Sequence, residues 1–276
     1  MARNPDWFLF NKIFESYDKL KFQKEPCDRL VAHASVSAQE KVLDVACGTG
    51  WATLAAAHAV GPTGRVIGID IADKALEIAR GKALKAGLGN VSFEEQDGHH
   101  PRFEDGTFDV VTCASALFGF QDIPGALREW KRILRPGGRV AICTYGREFR
   151  SVSTMLRNTI ANYLTASSAR NANEGSLETI EECTNQLAEA GFTNIQTATE
   201  ELGYYYPTLD AYWEEDVMSS MRRIPLDKLE PETAERVRIE HFEEMKAFAR
   251  DQGIWRPVPT LFAVGLKPTE VSNLSA

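Results

Sequence analysis

Between residues 41 and 145, short β-branched runs alternate with helical windows, and this alternation constrains the chain more than any other feature. Residues 41–46, 65–70, 91–95, 108–114 and 139–144 are apolar runs bounded by Gly, Pro, Asp and Asn, the pattern of strands buried on both faces. Residues 51–60, 73–86 and 125–134 are helical windows between them. The second opens with Asp73 as a plausible N-cap and closes near Gly87; the third stops at Pro136-Gly137-Gly138, read as a turn. Strand–helix alternation of this kind predicts an α/β fold with a doubly wound parallel sheet and right-handed crossovers.

After Tyr145 the rhythm changes. Helices are expected over 152–164 and 177–190, strands over 194–199 and 258–266, and two helical windows, 209–221 and 231–250, fall within a long insertion between those strands. The stretch before Lys41 is helical in pattern and aromatic, with Trp7, Phe8, Phe10, Phe14, Tyr17 and Phe22. It reads either as a helix packed on the sheet or as a lid over a bound ligand. The predicted organisation is therefore 1–40 as an N-terminal helical segment, 41–203 with 254–268 as the core, 204–253 as the insertion, and 269–276 as a tail.

With 276 residues and 43% hydrophobic content the chain can bury a sizeable core. Its net charge of −8, with Lys and Arg scattered along the sequence, disfavours a nucleic-acid partner. The five cysteines, Cys27, Cys47, Cys113, Cys143 and Cys183, show no C-x-x-C spacing, so neither a zinc site nor a disulfide framework is expected and no metal is predicted. The run 7–10 is too short for a signal-peptide core, and no stretch is long enough to span a bilayer. A cytoplasmic protein is the expectation, and a homo-oligomer is left open.

The first strand leads into Val42-Leu43-Asp44-Val45-Ala46-Cys47-Gly48-Thr49-Gly50. Gly48 and Gly50 let the backbone approach a ligand and expose amide N–H groups at the start of the next helix. A dinucleotide fingerprint would continue with a third Gly or Ala, but Thr53 stands there, and Asp44 would repel a pyrophosphate. An acidic residue at this place suits a cationic ligand instead. Asp70, in Val66-Ile67-Gly68-Ile69-Asp70, ends the second strand, where a carboxylate can accept two ribose hydroxyls. Asp97, in Glu94-Glu95-Gln96-Asp97-Gly98, ends the third, where it can accept from the exocyclic amine of adenine. The series closes with Phe108-Asp109-Val110-Val111 leading into 113–120, and with Leu134-Arg135-Pro136-Gly137-Gly138-Arg139-Val140.

In this order the five elements resemble the class I S-adenosylmethionine-dependent methyltransferases, and among them the relatives of the ubiquinone/menaquinone C-methyltransferases. The resemblance covers 42–145 closely and 14–18 more loosely. It implies a Rossmann-like, mostly parallel seven-stranded sheet with the last strand antiparallel. It implies S-adenosylmethionine as cofactor, released as S-adenosylhomocysteine. Asp44, Ala46, Cys47, Gly48 and Gly50 would border its methionine part, Asp70 and Ile71 the ribose, and Asp97 and Gly98 the adenine, with Tyr17 and Cys113 also at the cofactor. Ala46 replaces the first glycine of the family's loop. After the fourth strand the chain reads Ala116-Leu117-Phe118-Gly119-Phe120-Gln121-Asp122 rather than the quinone enzymes' polar signature, and past Gly203 it has no close match to them.

Methyl transfer from a sulfonium is an in-line displacement that needs proximity and a dry pocket, with a base only where the nucleophile must lose a proton. His241 is the candidate base, lying on an otherwise apolar helical stripe with Ala234, Val237, Met245 and Phe248, where a hydrogen-bonded core histidine is the commoner outcome. Phe10, Phe14, Phe118, Tyr205 and Trp213 are the candidate contacts of a small apolar or aromatic acceptor, quinol-, phenol- or natural-product-like, methylated on carbon or oxygen. The competing readings are an NAD-dependent oxidoreductase, a cyclase or binding protein that keeps the fold, and an RNA methyltransferase.

Overall fold

The computed structural model describes residues 14, 16–20, 22–163, 177–220 and 222–269. Phe10 and the tail from residue 270 lie outside the described residues. The chain runs α1 (Lys24–His33), β1 (Lys41–Val45), α2 (Trp51–Val60), β2 (Arg65–Asp70), α3 (Asp73–Lys85), β3 (Val91–Glu95), β4 (Phe108–Ala114), α4 (Ile123–Ile133), β5 (Leu134–Tyr145) and α5 (Arg147–Ala161). It continues with α6 (Ile180–Glu189), β6 (Thr193–Tyr206), α7 (Leu209–Tyr212), α8 (Arg223–Leu226), α9 (Pro231–Met245), β7 (Ala249–Arg250) and β8 (Gly253–Leu266).

The sheet order is β3-β2-β1-β4-β5-β8-β6, with the two-residue β7 paired off this path to β8. The pairs β2–β3, β1–β2, β1–β4 and β4–β5 are all parallel. Gly137 N–H donates to Lys267 O at 3.0 Å, while Gly146 N–H donates to Pro259 O at 2.8 Å. Partner numbers fall along β8 as they rise along β5, so β8 runs antiparallel. The expected seven-stranded path with an antiparallel last strand is thus present, with β7 as an eighth, minimal strand.

Alternation along the central strands explains why helices cover both faces. Leu43, Val45, Val111, Cys113, Val140 and Ile142 enter one core, against Ile123, Ala126, Leu127, Trp130 and Ile133 of α4. Their neighbours Val42, Val110, Ala141 and Cys143 enter the other, against Leu30, Val31, Ala56, Ala57 and Val60 of α1 and α2. Each side chain of Val or Leu size buried this way contributes about 1.5–3 kcal/mol. Asp122 starts α4 by accepting Gly125 N–H at 2.8 Å, and Thr179 with Glu182 forms a capping box at α6.

Two compact units divide the chain. One holds 24–144, 177–199 and the described residues from 261; the other holds the described residues of 1–23 and 145–176, with 200–260. These units cut across the expected segments: 24–40 lies with the sheet, and the described residues of 145–176 together with 200–203 and 254–260 lie with the insertion. Helix α1 goes with the sheet because it packs on α2, and α5 goes with the insertion because Val152, Leu156 and Ile160 share a core with Tyr212, Val217 and Val237. Among the described residues no helix is long and apolar enough to cross a membrane.

Several boundaries also move. Asp73 is the first residue of α3 rather than its cap, a place taken by Ala72 without any side-chain bond. The Pro136-Gly137-Gly138 turn is instead part of β5, whose pairing with β4 shifts register between Phe108 and Val110. The window 209–221 forms α7 and then one π-helical turn, Trp213–Val217.

Candidate functional site

The loop after β1 is shaped before α2 begins. Ala46, Gly48 and Gly50 all have positive φ, at 53°, 52° and 88°. Cys47 N–H donates to Ile69 O at 3.0 Å, and Gly50 N–H to Cys47 O at 2.9 Å, so the loop is tied to β2 and to itself. A Cβ at Gly50 would meet Ala79 Cβ at 2.9 Å, whereas one at Gly48 would meet nothing within 4 Å. Gly50 is therefore required by packing and conformation together, and Gly48 faces open space.

Asp70 joins the loop to the end of β2. Its Oδ2 accepts Gly48 N–H at 2.8 Å, and its Oδ1 accepts Ala72 N–H at 2.9 Å. Burial raises its carboxyl above the usual value, and these backbone donors oppose the rise. Beside it Ile71 is 48% exposed, an apolar surface left uncovered.

Asp44 is placed differently from the expectation that it borders a ligand. It is fully buried, and its two oxygens accept from the hydroxyls of Thr53 at 2.6 Å and Thr112 at 2.8 Å. Burial pushes its carboxyl up to about 6, with the two hydroxyls opposing and the charge of Asp70 adding to the rise. Its charge acts from beneath the loop. Thr53, which stands where a dinucleotide fingerprint has its third small residue, is thereby explained. Cys113 is likewise fully buried, so its side chain cannot border a ligand as expected. Burial and the charges of Asp70 and Asp44 raise the half-buried Cys47 thiol well above its usual range.

At the end of β3, Asp97 Oδ1 accepts both the backbone N–H and the ring Nδ1–H of His99, each at 2.9 Å. Burial favours its protonated form, but these bonds and the two neighbouring imidazoles outweigh it and hold the carboxyl below its ordinary value. Gly98 is closely enclosed, since a Cβ there would lie 2.6 Å from Val45 Cγ1 and 2.9 Å from Phe120 Cζ. The carbonyl of Gly98 accepts Trp130 Nε1–H at 2.7 Å. Phe118 is half-buried in the short turn Leu117–Gly119 that follows β4.

In the other unit, His241 is fully buried. Its Nε2 meets Tyr212 Oη at 3.0 Å and its Nδ1 meets Glu244 Oε2 at 2.9 Å. Both ring nitrogens are engaged, so His241 as placed has none free to take a proton from an acceptor. Trp213, 6% exposed, packs against Phe242 in the same core. Tyr205 is 38% exposed and lies 4.8 Å, ring to ring, from Trp255. Phe14 is buried and meets half-buried Tyr17 at 5.5 Å. A buried ion pair in this unit has no signature in the sequence: Arg256 Nε donates to Asp216 Oδ2 at 3.2 Å, both residues fully buried, with Arg222 3.0 Å from Oδ1. Among the described residues no cluster of His, Cys, Asp and Glu could hold a metal ion.

A glycine loop opening onto α2, an acid ending β2 and an acid ending β3, all at the carboxyl edge of a parallel sheet, define the class of doubly wound α/β proteins, which bind ligands at their strand ends. Comparison narrows this. Residues 36–191, more than half the chain, match the model of the methyltransferase domain family, and the chain belongs to that family. It is 36% identical over 136 residues to nocamycin O-methyltransferase of Saccharothrix syringae, covering 49% of each chain. It is 39% identical over 138 residues to demethylmenaquinone methyltransferase of Staphylococcus aureus, covering 48% of this chain and 56% of that one. The chain thus spans about half the length of the curated relatives it matches. The YcgJ protein of Bacillus shares the fold at a TM-score of 0.61 with 20% identity, over 88% of this chain and 98% of its own.

Proposed function

We propose that the protein binds S-adenosylmethionine at the carboxyl ends of β1, β2 and β3 and transfers its methyl group to carbon or oxygen of a small apolar or aromatic acceptor. The observation that carries the reading is Asp70, which ties Gly48 to the end of β2 and stands beside exposed Ile71. The residues fit the cofactor chemically. Gly48 opens toward free space, Ile71 offers an apolar face to a flat ring, Asp70 offers acceptors to ribose hydroxyls, and Asp97 keeps one oxygen for an amine. Buried Asp44 supplies negative charge under the loop, which favours a cationic ligand over a pyrophosphate. When bound, the cofactor supplies an activated methyl group on a positively charged sulfur. The chain's own part is to orient the two reactants and exclude water. No base is assigned to His241, whose nitrogens are both engaged.

The acceptor class is read from the aromatic character of the sequence outside the common core; of the two relatives, one is named for nocamycin and the other for demethylmenaquinone. Calorimetry with S-adenosylhomocysteine on EDTA-treated protein tests the cofactor. Asp70→Ala should weaken binding more than Asp97→Ala, because Asp70 is assigned two ribose hydroxyls and Asp97 one amine, at about 1.5–3 kcal/mol per bond to a charged acceptor. Equal or reversed losses overturn the assignment. Mass spectrometry of labelled methyl transfer to phenols, quinols, indoles and amines tests the acceptor, and transfer to RNA instead would refute it.

A further inference from the structure

The cofactor reading uses Asp97 and Gly98 but leaves three aromatic side chains around them unexplained. His99 Nδ1 lies 2.9 Å from Asp97 Oδ1. The His99 ring lies 4.6 Å from that of Phe120, tilted by 37°, and Phe120 meets Trp130 edge-on at 5.6 Å. Trp130 closes the circuit through its bond to Gly98 O. The order Asp97, His99, Phe120, Trp130, Gly98 is thus a continuous chain of contacts that begins and ends on adjacent residues. Trp130 is anchored in the α4 core at 0% exposure, so the circuit hangs from a rigid element. His99 and Asp97 remain partly open, with side chains 28% and 41% exposed, so the far end is accessible to a ligand.

We propose that His99 is a positioning residue that sets base specificity, by pinning Asp97 so that its second oxygen is offered to the amino group of adenine. The inference rests on the adenosylmethionine reading above. Two donors from one residue hold Oδ1, and among the described residues no hydrogen bond reaches Oδ2. A carboxylate free to rotate could turn its charge away from a base carrying oxygen at the same position; a pinned one cannot. Pinning thus converts an attraction for an amine into a rejection of a carbonyl. The ring of His99 sets its own angle against Phe120, and the donor atom does the pinning.

The test compares S-adenosylhomocysteine with S-inosylhomocysteine, which presents an oxygen where adenine presents its amine, by calorimetry at pH 7.5. His99→Phe keeps a ring beside Phe120 and removes the donor; His99→Asn places an amide nitrogen near the Nδ1 position and removes the ring. Thermal unfolding of each variant verifies that it is folded. His99→Phe should reduce the preference for the adenine ligand about tenfold, the effect of losing one hydrogen bond to a charged group. His99→Asn should stay within about threefold of the unaltered protein on the same scale. A preference unchanged within about twofold in His99→Phe, or equal losses in both variants, overturns the proposal. If the unaltered protein binds neither ligand, the adenosylmethionine reading itself falls; if it binds the adenine ligand and only the variants disagree, the role of His99 alone falls.

Discussion

Asp44 should make the stability of this protein depend on pH in the direction opposite to an ordinary salt-bridged carboxylate. Its carboxyl is raised from 3.8 to about 6, first by burial, against the pull of the Thr53 and Thr112 hydroxyls. Where the folded value lies above the unfolded one, the folded state holds the extra proton. The corresponding stability is fully present below pH 3.8 and is lost as pH rises through 6. A gap of about two pH units is worth roughly 3 kcal/mol. Asp44→Asn keeps the shape and removes the titration. Urea unfolding of both proteins at steps between pH 3 and pH 8 should show the stability of the unaltered protein relative to Asp44→Asn falling by about 3 kcal/mol toward pH 7, then levelling. A difference constant within about 1 kcal/mol, or one that grows with pH, refutes the argument that this charge is held against its burial.

Two further outcomes follow from side chains described above. Gly50→Ala should destabilise the fold by about 1–3 kcal/mol in thermal unfolding, since the new Cβ meets the Ala79 Cβ and φ is left-handed; no loss would mean the loop can be rebuilt. His241→Phe should destabilise by about 1–3 kcal/mol, because the hydroxyl of buried Tyr212 loses its ring partner, while methyl transfer per folded molecule stays within about twofold. Abolished transfer in a folded His241→Phe protein would restore His241 as a base.

The parallel half of the sheet was legible because strands buried on both faces are nearly continuous apolar runs. The expected 65–70, 91–95 and 108–114 coincide with β2, β3 and β4. In the antiparallel half the strands expected over 194–199 and 258–266 lie within β6 and β8, but their full lengths were not legible, for reasons that lie in single residues. Gly203 interrupts β6 in the sequence, yet a Cβ there would lie 2.3 Å from Trp255 Cζ2, so the glycine serves the close passage of the neighbouring strand. Pro257 and Pro259 break the strand pattern of β8, which nevertheless starts at Gly253. Among site residues, Asp70 and Asp97 could be placed from the end of a strand. Whether Asp44 faces ligand or core could not, because the answer depends on Thr112, which is 68 residues away. The Asp216–Arg256 pair has the same character, joined only across 40 residues of chain.

Ala46 stands in a left-handed conformation, at φ 53°, where a glycine would rest without strain. Such a residue is about 1–2 kcal/mol uphill, and it stays there because its neighbours Cys47 and Gly48 are fastened to β2 by Ile69 O and Asp70 Oδ2. The loop therefore keeps its curvature without help from a ligand. Its entropy is surrendered when the sheet folds, so a ligand meeting this edge does not have to order the loop a second time.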